Sequence, residues 1–436
     1  MAESITPFAL PSSRAEIGRI QRGRKKIAVA RARAADWYRG KLDHIDIDKL
    51  DDPEHWRRIP ILDKESLRVL DHGEFMRRFC IARENEIAEY WRSGGTTGKP
   101  VFYPRTFDDL AFGMESWARS FACMGIVAGD LCHLAFPLGV HPAGQVWARS
   151  GHKVGVGMIW AGAGNATPSA AQLDLIVTLK PTVFIGMSSF ALHLANLAEA
   201  RGIDLATSSV SKVVCSAETL SAAKREKIAR QWGAEVYDVF GMSEAGLMGS
   251  ENAAHDGIHI WTDLFFVEVI DPQTGAPVPE GEVGTFCVTP LWTNHATPFL
   301  RWNSGDLVRF VPRSRGAGRF ADLFPMIQHA NRTTGFFKVR GVNVNHAEFE
   351  DLMFRQPMLA DFQAVLFSDP ETSLESLKVR IEVRRGGDAT ALSADVVQAI
   401  RRIFEISASI ETVEAGTLAA EFEKNVKAPR FLDQRI

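Results

Sequence analysis

Three observations predict an α/β fold in more than one domain. Between residues 107 and 239, strand-length apolar runs alternate with helix-length segments, the signature of βαβ units and a mostly parallel sheet. After Gly241 the helices give way to short strands separated by turns, and the last stretch carries a small α/β pattern of its own. At 436 residues the chain also exceeds the size at which one core usually stops growing. The reading is a large domain over 1–334, with parallel strands flanked by helices and a β-rich subdomain at about 245–331. A small α+β domain follows over 335–436, with the Arg332–Gly335 turn as the boundary.

Taken in order, residues 1 to about 80 read as helices broken by Pro53 and Pro60. Helical spacing runs from Phe107 to Met124, and Leu131–Phe136 is an apolar run ended by Pro137 and Gly139. Helices at 169–180, 189–201 and 219–232 then alternate with strands at Thr182–Gly186, Lys212–Cys215 and Glu235–Val239. The β-rich part holds strands at His259–Trp261, Phe265–Ile270, Gly284–Thr289 and Leu307–Phe310, with a turn at Asp271–Gly275. The C-terminal pattern is a strand at 336–341, a helix at 346–354, strands at 362–367 and 377–383, a helix at 393–405 and a strand at 409–413.

Composition excludes several classes. Hydrophobic residues are 46% of the chain, and 50 Lys and Arg nearly balance 53 acidic residues, so no basic excess marks a nucleic-acid binder. The basic run Arg19, Arg22, Arg24, Lys25, Lys26, Arg31 and Arg33 reads as the solvated face of an amphipathic helix. Five scattered cysteines form no Cys-x-x-Cys and suit reduced thiols. The first thirty residues lack the apolar core of a signal peptide, and no apolar run reaches the ~18 residues needed to span a bilayer. The expectation is a soluble cytoplasmic protein with no membrane partner.

The densest chemical signal is Trp91-Arg92-Ser93-Gly94-Gly95-Thr96-Thr97-Gly98-Lys99-Pro100, ahead of the strand-like Val101-Phe102-Tyr103. Its glycines let backbone N–H groups approach an anion, while the hydroxyls and Lys99 add donors and charge suited to a polyphosphate. The spacing is neither a Walker loop nor Gly-x-Gly-x-x-Gly. Four more segments accompany it. Tyr237-Asp238-Val239-Phe240-Gly241-Met242-Ser243-Glu244 places an aromatic, a hydroxyl and a carboxylate at a strand end, and Arg301–Leu307 places Asp306 after a glycine turn. Arg332–Val344 opens the last domain, and Lys427–Arg435 closes the chain.

In this order and at these separations the five segments resemble the phenylacetate-CoA ligase family of the adenylate-forming superfamily, over nearly the whole chain. Asp256–Trp261 and Glu268–Gly275 are similar to that family as well. The resemblance implies an AMP-forming aryl-acid CoA ligase. A carboxylate attacks the α-phosphate of ATP, giving an acyl-adenylate and pyrophosphate, and the thiol of coenzyme A then displaces AMP. It further implies that Ser93, Gly94, Gly95, Thr96, Thr97, Gly98 and Lys99 hold the β- and γ-phosphates, with Ser243 as a further donor. Glu244 would bind Mg²⁺, Asp306 the ribose hydroxyls, and Arg332 ribose or phosphate. Phe240 would lie against adenine, flanked by Gly241 and Met242, and Asp238 would accept from its amino group. Lys427 would bridge the attacking carboxylate and the α-phosphate. Phe136, His141, Ser216, Ala217 and Ala245 would line the acid's pocket. A mobile small domain, which rotates between half-reactions, and a homodimer are implied by the family too. Alone, each residue has a plainer explanation: Glu244 as an exposed turn acid, Asp306 as a turn cap, Phe240 as core, Lys427 as a solvated tail lysine.

The chain departs from the family in two places. The usual Asp-Asp at the hinge reads Thr334-Gly335. In the acid pocket, Gly139–Gly144 puts His141 where an aromatic is common, and Ser216-Ala217-Glu218 replaces Gly-Ala-Glu. Both pocket changes add polarity, which favours an aryl acid with a hydroxyl or amino group. Two rivals share the early motifs: an enzyme that passes its acyl-adenylate to a carrier-protein thiol or an amine, and a non-catalytic nucleotide-binding protein.

Overall fold

Short connections dictate the strand directions after residue 237. A computed structural model of the protein describes residues 9–92, 101–164, 166–218, 220–311, 314–332, 336–339, 342–368, 375–423 and 430–435. The chain forms two compact units, one of residues 1–130, 138–158 and 237–333, the other of 131–137, 159–236 and 334–436.

In the first unit, strands run in the order Phe265–Ile270, Val283–Pro290, Trp302–Val311, Met326–Arg332, Ile258–Ile260, Gly246–Ser250 and Glu235–Met242. Each neighbouring pair is antiparallel. Most of their links are too short for a crossover, so the chain folds straight back on itself. Glycine permits one especially close approach. A Cβ on Gly249 would lie 2.0 Å from the His259 carbonyl oxygen on the next strand. A separate two-stranded ribbon pairs Ile87–Arg92 with Phe102–Thr106, and Thr106 then caps the helix Phe107–Cys123 through a capping box with Asp109.

The basic N-terminal helix, Arg14–Ala32, corrects one expectation. Part of its charge is packed rather than solvated. Lys25 is buried, with Nζ 3.5 Å from the Phe266 ring centroid, and burial pulls its pKa down to about 8 despite Asp51 and Glu268. Arg24 donates to the Leu291 carbonyl at 2.8 Å, and Arg31 to the Asn294 amide oxygen. Arg19, Arg22 and Lys26 do face solvent.

The second unit holds the parallel strands Lys212–Cys215, Val183–Gly186 and Leu131–Leu134, with helices Ser169–Leu179 and Ser188–Ala200 between them in sequence and Ala222–Trp232 after them. Its C-terminal part is a four-stranded sheet in the order Ala408–Val413, Glu375–Val383, Leu359–Ser368 and Phe431–Asp433, with helices His346–Phe354 and Ala389–Phe404. The expected single strand at 336–341 is instead a hairpin, Phe336–Val339 with Val342–Asn345. A continuous apolar core joins these parts of the unit, with Phe184, Trp232, Phe349, Phe362 and Ile381 among its members. Polar contacts cross the same packing. Asn196 donates to the Ala360 carbonyl, the Ala223 N–H donates to Asp351, and Lys224 pairs with Glu350 at 2.6 Å.

The helix Ala143–Lys153 and strand Gly157–Trp160 were not anticipated. The helix buries Gly144, Ala148, Ser150 and Gly151 beside Val146 and Trp147, so most of its buried face is made by small residues. Among the described residues, no helix is long and apolar enough to cross a membrane.

Candidate functional site

In the first unit the site is built on a tight hairpin. Met242 pairs with Gly246, leaving Ser243, Glu244 and Ala245 as a three-residue turn, and Gly246 has φ +93°. A glycine with positive φ after such a turn is what this hairpin geometry needs. Beneath it, a Cβ on Gly241 would meet the Gly246 carbonyl oxygen at 2.8 Å.

Glu244 is only 5% exposed, so it is not an exposed turn acid. Its Oε1 accepts from the Tyr103 hydroxyl at 2.9 Å, and Lys64 Nζ lies 3.9 Å from the same oxygen. Burial, together with the negative charge of Glu244, holds the Tyr103 phenol well above its usual range, so it remains a donor. Arg105 Nη2 donates to the carbonyls of Ser243 at 2.6 Å and Glu244 at 2.7 Å, and Nη1 reaches Thr297 Oγ1 at 3.3 Å. The guanidinium lies 4.7 Å from the Trp91 ring centroid. Burial lowers its pKa, while Asp109 and Glu244 oppose the shift. The turn is therefore gripped from two sides.

The neighbouring strands carry the other candidates of this unit. Phe240 is buried, edge-on to Phe286 and to His329, each at 5.0 Å between centroids. Asp238 is buried in mid-strand, where its N–H donates to Glu251 at 2.8 Å. Asp306 lies within Trp302–Val311, where Gly305 (φ +75°) makes a bulge and lets the strand continue. Asp306 stands opposite Arg332 in the register. His141 is partly exposed just before the helix Ala143–Lys153, and Ala245 is buried in the turn.

In the second unit, Phe136 is buried just beyond the strand Leu131–Leu134. The Ser216 N–H donates to the Gly186 carbonyl at 3.2 Å, and Ala217 takes φ +67°, an unusual value for a residue with a Cβ. That twist sends the chain to Glu218, whose carboxylate accepts from the Ser188 hydroxyl and from both N–H and hydroxyl of Ser189. Burial alone would raise the Glu218 pKa, but Lys224 and the Ser189 and Ser188 hydrogen bonds bring it below the usual range. Ser93 to Lys99, the Thr334-Gly335 pair and Lys427 lie outside the described residues.

The sequence reading gave no role to Tyr103, Arg105, Lys64 or Glu218. A signal existed for the first two: a tyrosine and an arginine two apart on the strand after the loop share one face.

Among the described residues, no group of three or more His, Cys, Asp or Glu could hold a metal ion by itself. The donor set fits Mg²⁺ in another way. The turn offers the buried carboxylate of Glu244, and Mg²⁺ beside phosphates commonly takes only one or two from protein.

Comparison with known proteins places this arrangement. Residues 43–291, more than half of the chain, match the AMP-binding enzyme family. Phenylacetate-coenzyme A ligase of Thermus thermophilus is 31% identical over 84% of this chain and 82% of its own length. The enzyme of that name from Aromatoleum evansii is 30% identical over 82% and 80%. In fold, a crystal structure of 2-hydroxyisobutyryl-CoA ligase in the postadenylation state, in complex with 2-HIB-AMP, superposes with a TM-score of 0.82 at 22% identity, covering 98% of this chain and 94% of that one. Fold and sequence thus define an adenylate-forming enzyme. The chain belongs to the phenylacetate-CoA ligase family of that superfamily. It is accordingly an AMP-forming acid–thiol ligase, working with ATP, Mg²⁺ and coenzyme A.

Proposed function

We propose that this chain activates an aromatic carboxylic acid bearing a hydroxyl or amino group, and delivers it to coenzyme A. The observation that carries the reading is the buried Glu244 on a turn gripped by Tyr103 and Arg105. Burying a carboxylate is costly even with the Tyr103 hydroxyl and Lys64 beside it, so a site that keeps one has a use for its charge.

In the first half-reaction the acid's carboxylate oxygen attacks the α-phosphorus of ATP, and the bond to the pyrophosphate oxygen breaks. Two anions meet, so fixed donors and positive charge lower the barrier most. Ser93 to Lys99 and Ser243 hold the β- and γ-phosphates, while Asp306 and Arg332 hold the ribose end. Phe240 and Asp238 form the adenine side. Lys427 neutralises charge between the carboxylate and the α-phosphate. Glu244 would hold Mg²⁺, which supplies charge neutralisation on the phosphates when bound. In the second half-reaction the thiol sulfur attacks the acyl carbon, and AMP leaves on its phosphate oxygen. Residues 335–436 act as a mobile domain that withdraws Lys427 between the steps.

The relatives named for phenylacetate support an aryl acid. His141 and Ser216 support a polar ring substituent, because donors in a pocket reject ligands that leave them unpaired. Acid-dependent exchange of labelled pyrophosphate into ATP tests this over phenylacetate, benzoate, hydroxybenzoates, aminobenzoates and indole-3-acetate. The expected preference is a hydroxy- or aminobenzoate; preference for unsubstituted phenylacetate would reject the polar pocket. AMP release that requires coenzyme A separates a CoA ligase from an enzyme that loads a carrier protein. Exchange with no acid at all would favour a nucleotide-binding protein without catalysis.

A further inference from the structure

The strand Phe102–Thr106 and the carboxylate turn Ser243–Ala245 are held together by two side chains. The antiparallel pairing of Ile87–Arg92 with Phe102–Thr106 sets Arg92 opposite Phe102. Tyr103 and Arg105 are two apart on its second strand, and successive side chains of a strand alternate between faces. Both therefore leave the ribbon on one side, together with Trp91, which pairs with Tyr103 and lies against the Arg105 guanidinium. On that side stands the Ser243–Ala245 turn. Tyr103 takes the Glu244 carboxylate and Arg105 takes the backbone carbonyls of Ser243 and Glu244.

Such a pairing is demanding. Arg105 is 1% exposed, and it meets no carboxylate directly; its hydrogen-bond partners are two carbonyls and the Thr297 hydroxyl. A buried guanidinium satisfied by backbone oxygens of a turn is expensive to desolvate and stays only where it fixes something. An apolar pair would pack the ribbon equally well, but it would leave the orientation of Glu244 open.

We propose that Tyr103 and Arg105 are positioning residues that fix the Glu244 carboxylate and the Ser243–Ala245 turn, and thereby set the affinity for ATP with Mg²⁺. The inference rests on the reading of Glu244 as the magnesium carboxylate. Tyr103 orients the carboxylate; Arg105 locks the turn to the strand Phe102–Thr106. Neither touches the reacting atoms.

The test is calorimetric titration of the full chain with ATP over a series of Mg²⁺ concentrations, with acid and coenzyme A omitted. Wild type is compared with Tyr103→Phe, Arg105→Lys, Arg105→Met and Glu244→Gln, and the same variants are followed in pyrophosphate exchange. Loss of one hydrogen bond to a charged group predicts that Tyr103→Phe raises the Mg²⁺ half-saturation of ATP binding about tenfold. Its exchange kcat at saturating Mg²⁺ should stay within roughly threefold of wild type. Arg105→Lys should recover part of what Arg105→Met loses, since a lysine keeps the charge but lacks the planar fork that meets both turn carbonyls and Thr297 together. A folded Tyr103→Phe with wild-type Mg²⁺ dependence overturns the positioning role, and it decides the matter even if Arg105→Met does not fold. Glu244→Gln separates the two levels. If it loses Mg²⁺ dependence while Tyr103→Phe and Arg105→Lys keep it, only the positioning fails. Wild-type dependence in Glu244→Gln overturns the magnesium reading, and this inference with it.

Discussion

Lys227 on the helix Ala222–Trp232 donates its buried ammonium to the carbonyl of Leu359 at 2.6 Å, and to that of Ala360 at 2.7 Å. Burial pulls its pKa down to about 7; Asp361 resists, while Arg430, Arg384 and Arg230 add to the fall. A neutral amine still has two N–H donors, enough for both carbonyls, while the charged form also lies over the Phe354 ring, 5.0 Å from its centroid. The sign follows. With a folded pKa below the unfolded 10.5, the unfolded chain holds the extra proton between about pH 7 and 10.5, so stability increases with pH across that window. Below pH 7 the burial penalty is felt in full. Urea melts at pH 6, 7, 8 and 9 should show this rise. Lys227→Met should flatten it, and because Lys25 titrates near 8 with the same sign, the difference between the two profiles is the quantity to read.

The strand Gly246–Ser250 makes a prediction about packing. A methyl group on Gly249 would sit 2.0 Å from the His259 carbonyl oxygen and 2.9 Å from its carbon, both backbone atoms that a paired strand holds in place. No rotamer relieves that overlap. Gly249→Ala should cost roughly 3 kcal/mol or more, through loss of the ladder between these strands. Thermal or chemical denaturation checks it, and a change below about 1 kcal/mol would show that the two strands can move apart.

What could be read from the sequence followed what sequence patterns encode. The helices near 169–180, 189–201 and 346–354 stand where the sequence reading places them. Ala143–Lys153 buries only two bulky apolar residues, Val146 and Trp147, among glycine, alanine and serine, and its two-faced character comes from the polar residues opposite. Asp306 was read as following a turn because a glycine before it suggested one, yet Gly305 serves as a bulge inside a longer strand. For the site, Glu244 stood out through the order of its neighbours along the chain. Tyr103, Arg105 and Lys64 did not, because their significance lies in contacts to residues more than a hundred positions away. The burial of Lys25 escaped for the same reason, since its partners, Leu50, Trp56 and Phe266, come from other segments.

His346 predicts the opposite limb of the pH profile. Its ring stacks on Phe431 with centroids 4.0 Å apart and an interplanar angle of 1°, and burial holds its pKa down to about 4, below the ordinary 6.5 of histidine. Here the unfolded chain takes up the proton first. Stability is fully present above pH 6.5 and is lost as pH falls from there toward 4. Partial exposure of the ring tempers the size of the effect. His346→Phe keeps an aromatic ring on Phe431 and removes the titration, so its stability between pH 6.5 and 4 should fall less steeply than that of wild type. Parallel acid limbs in urea melts would mean that the loss comes from other groups.

Lys427 is the residue whose removal should split the two half-reactions. In the proposed chemistry its charge is needed where the acid's carboxylate meets the α-phosphate, and nowhere in the attack of the thiol on the acyl-adenylate. Loss of one such fixed donor costs on the order of 10²–10³ in rate. Lys427→Ala should therefore lower acid-dependent pyrophosphate exchange by about that factor. Supplied with synthetic acyl-adenylate and coenzyme A, the same variant should form thioester at a rate within roughly threefold of wild type. The contrast between two assays on one protein controls for misfolding, which would depress both. Equal loss in both would place Lys427 in the structure or in the second step, and no loss in either would remove it from the mechanism.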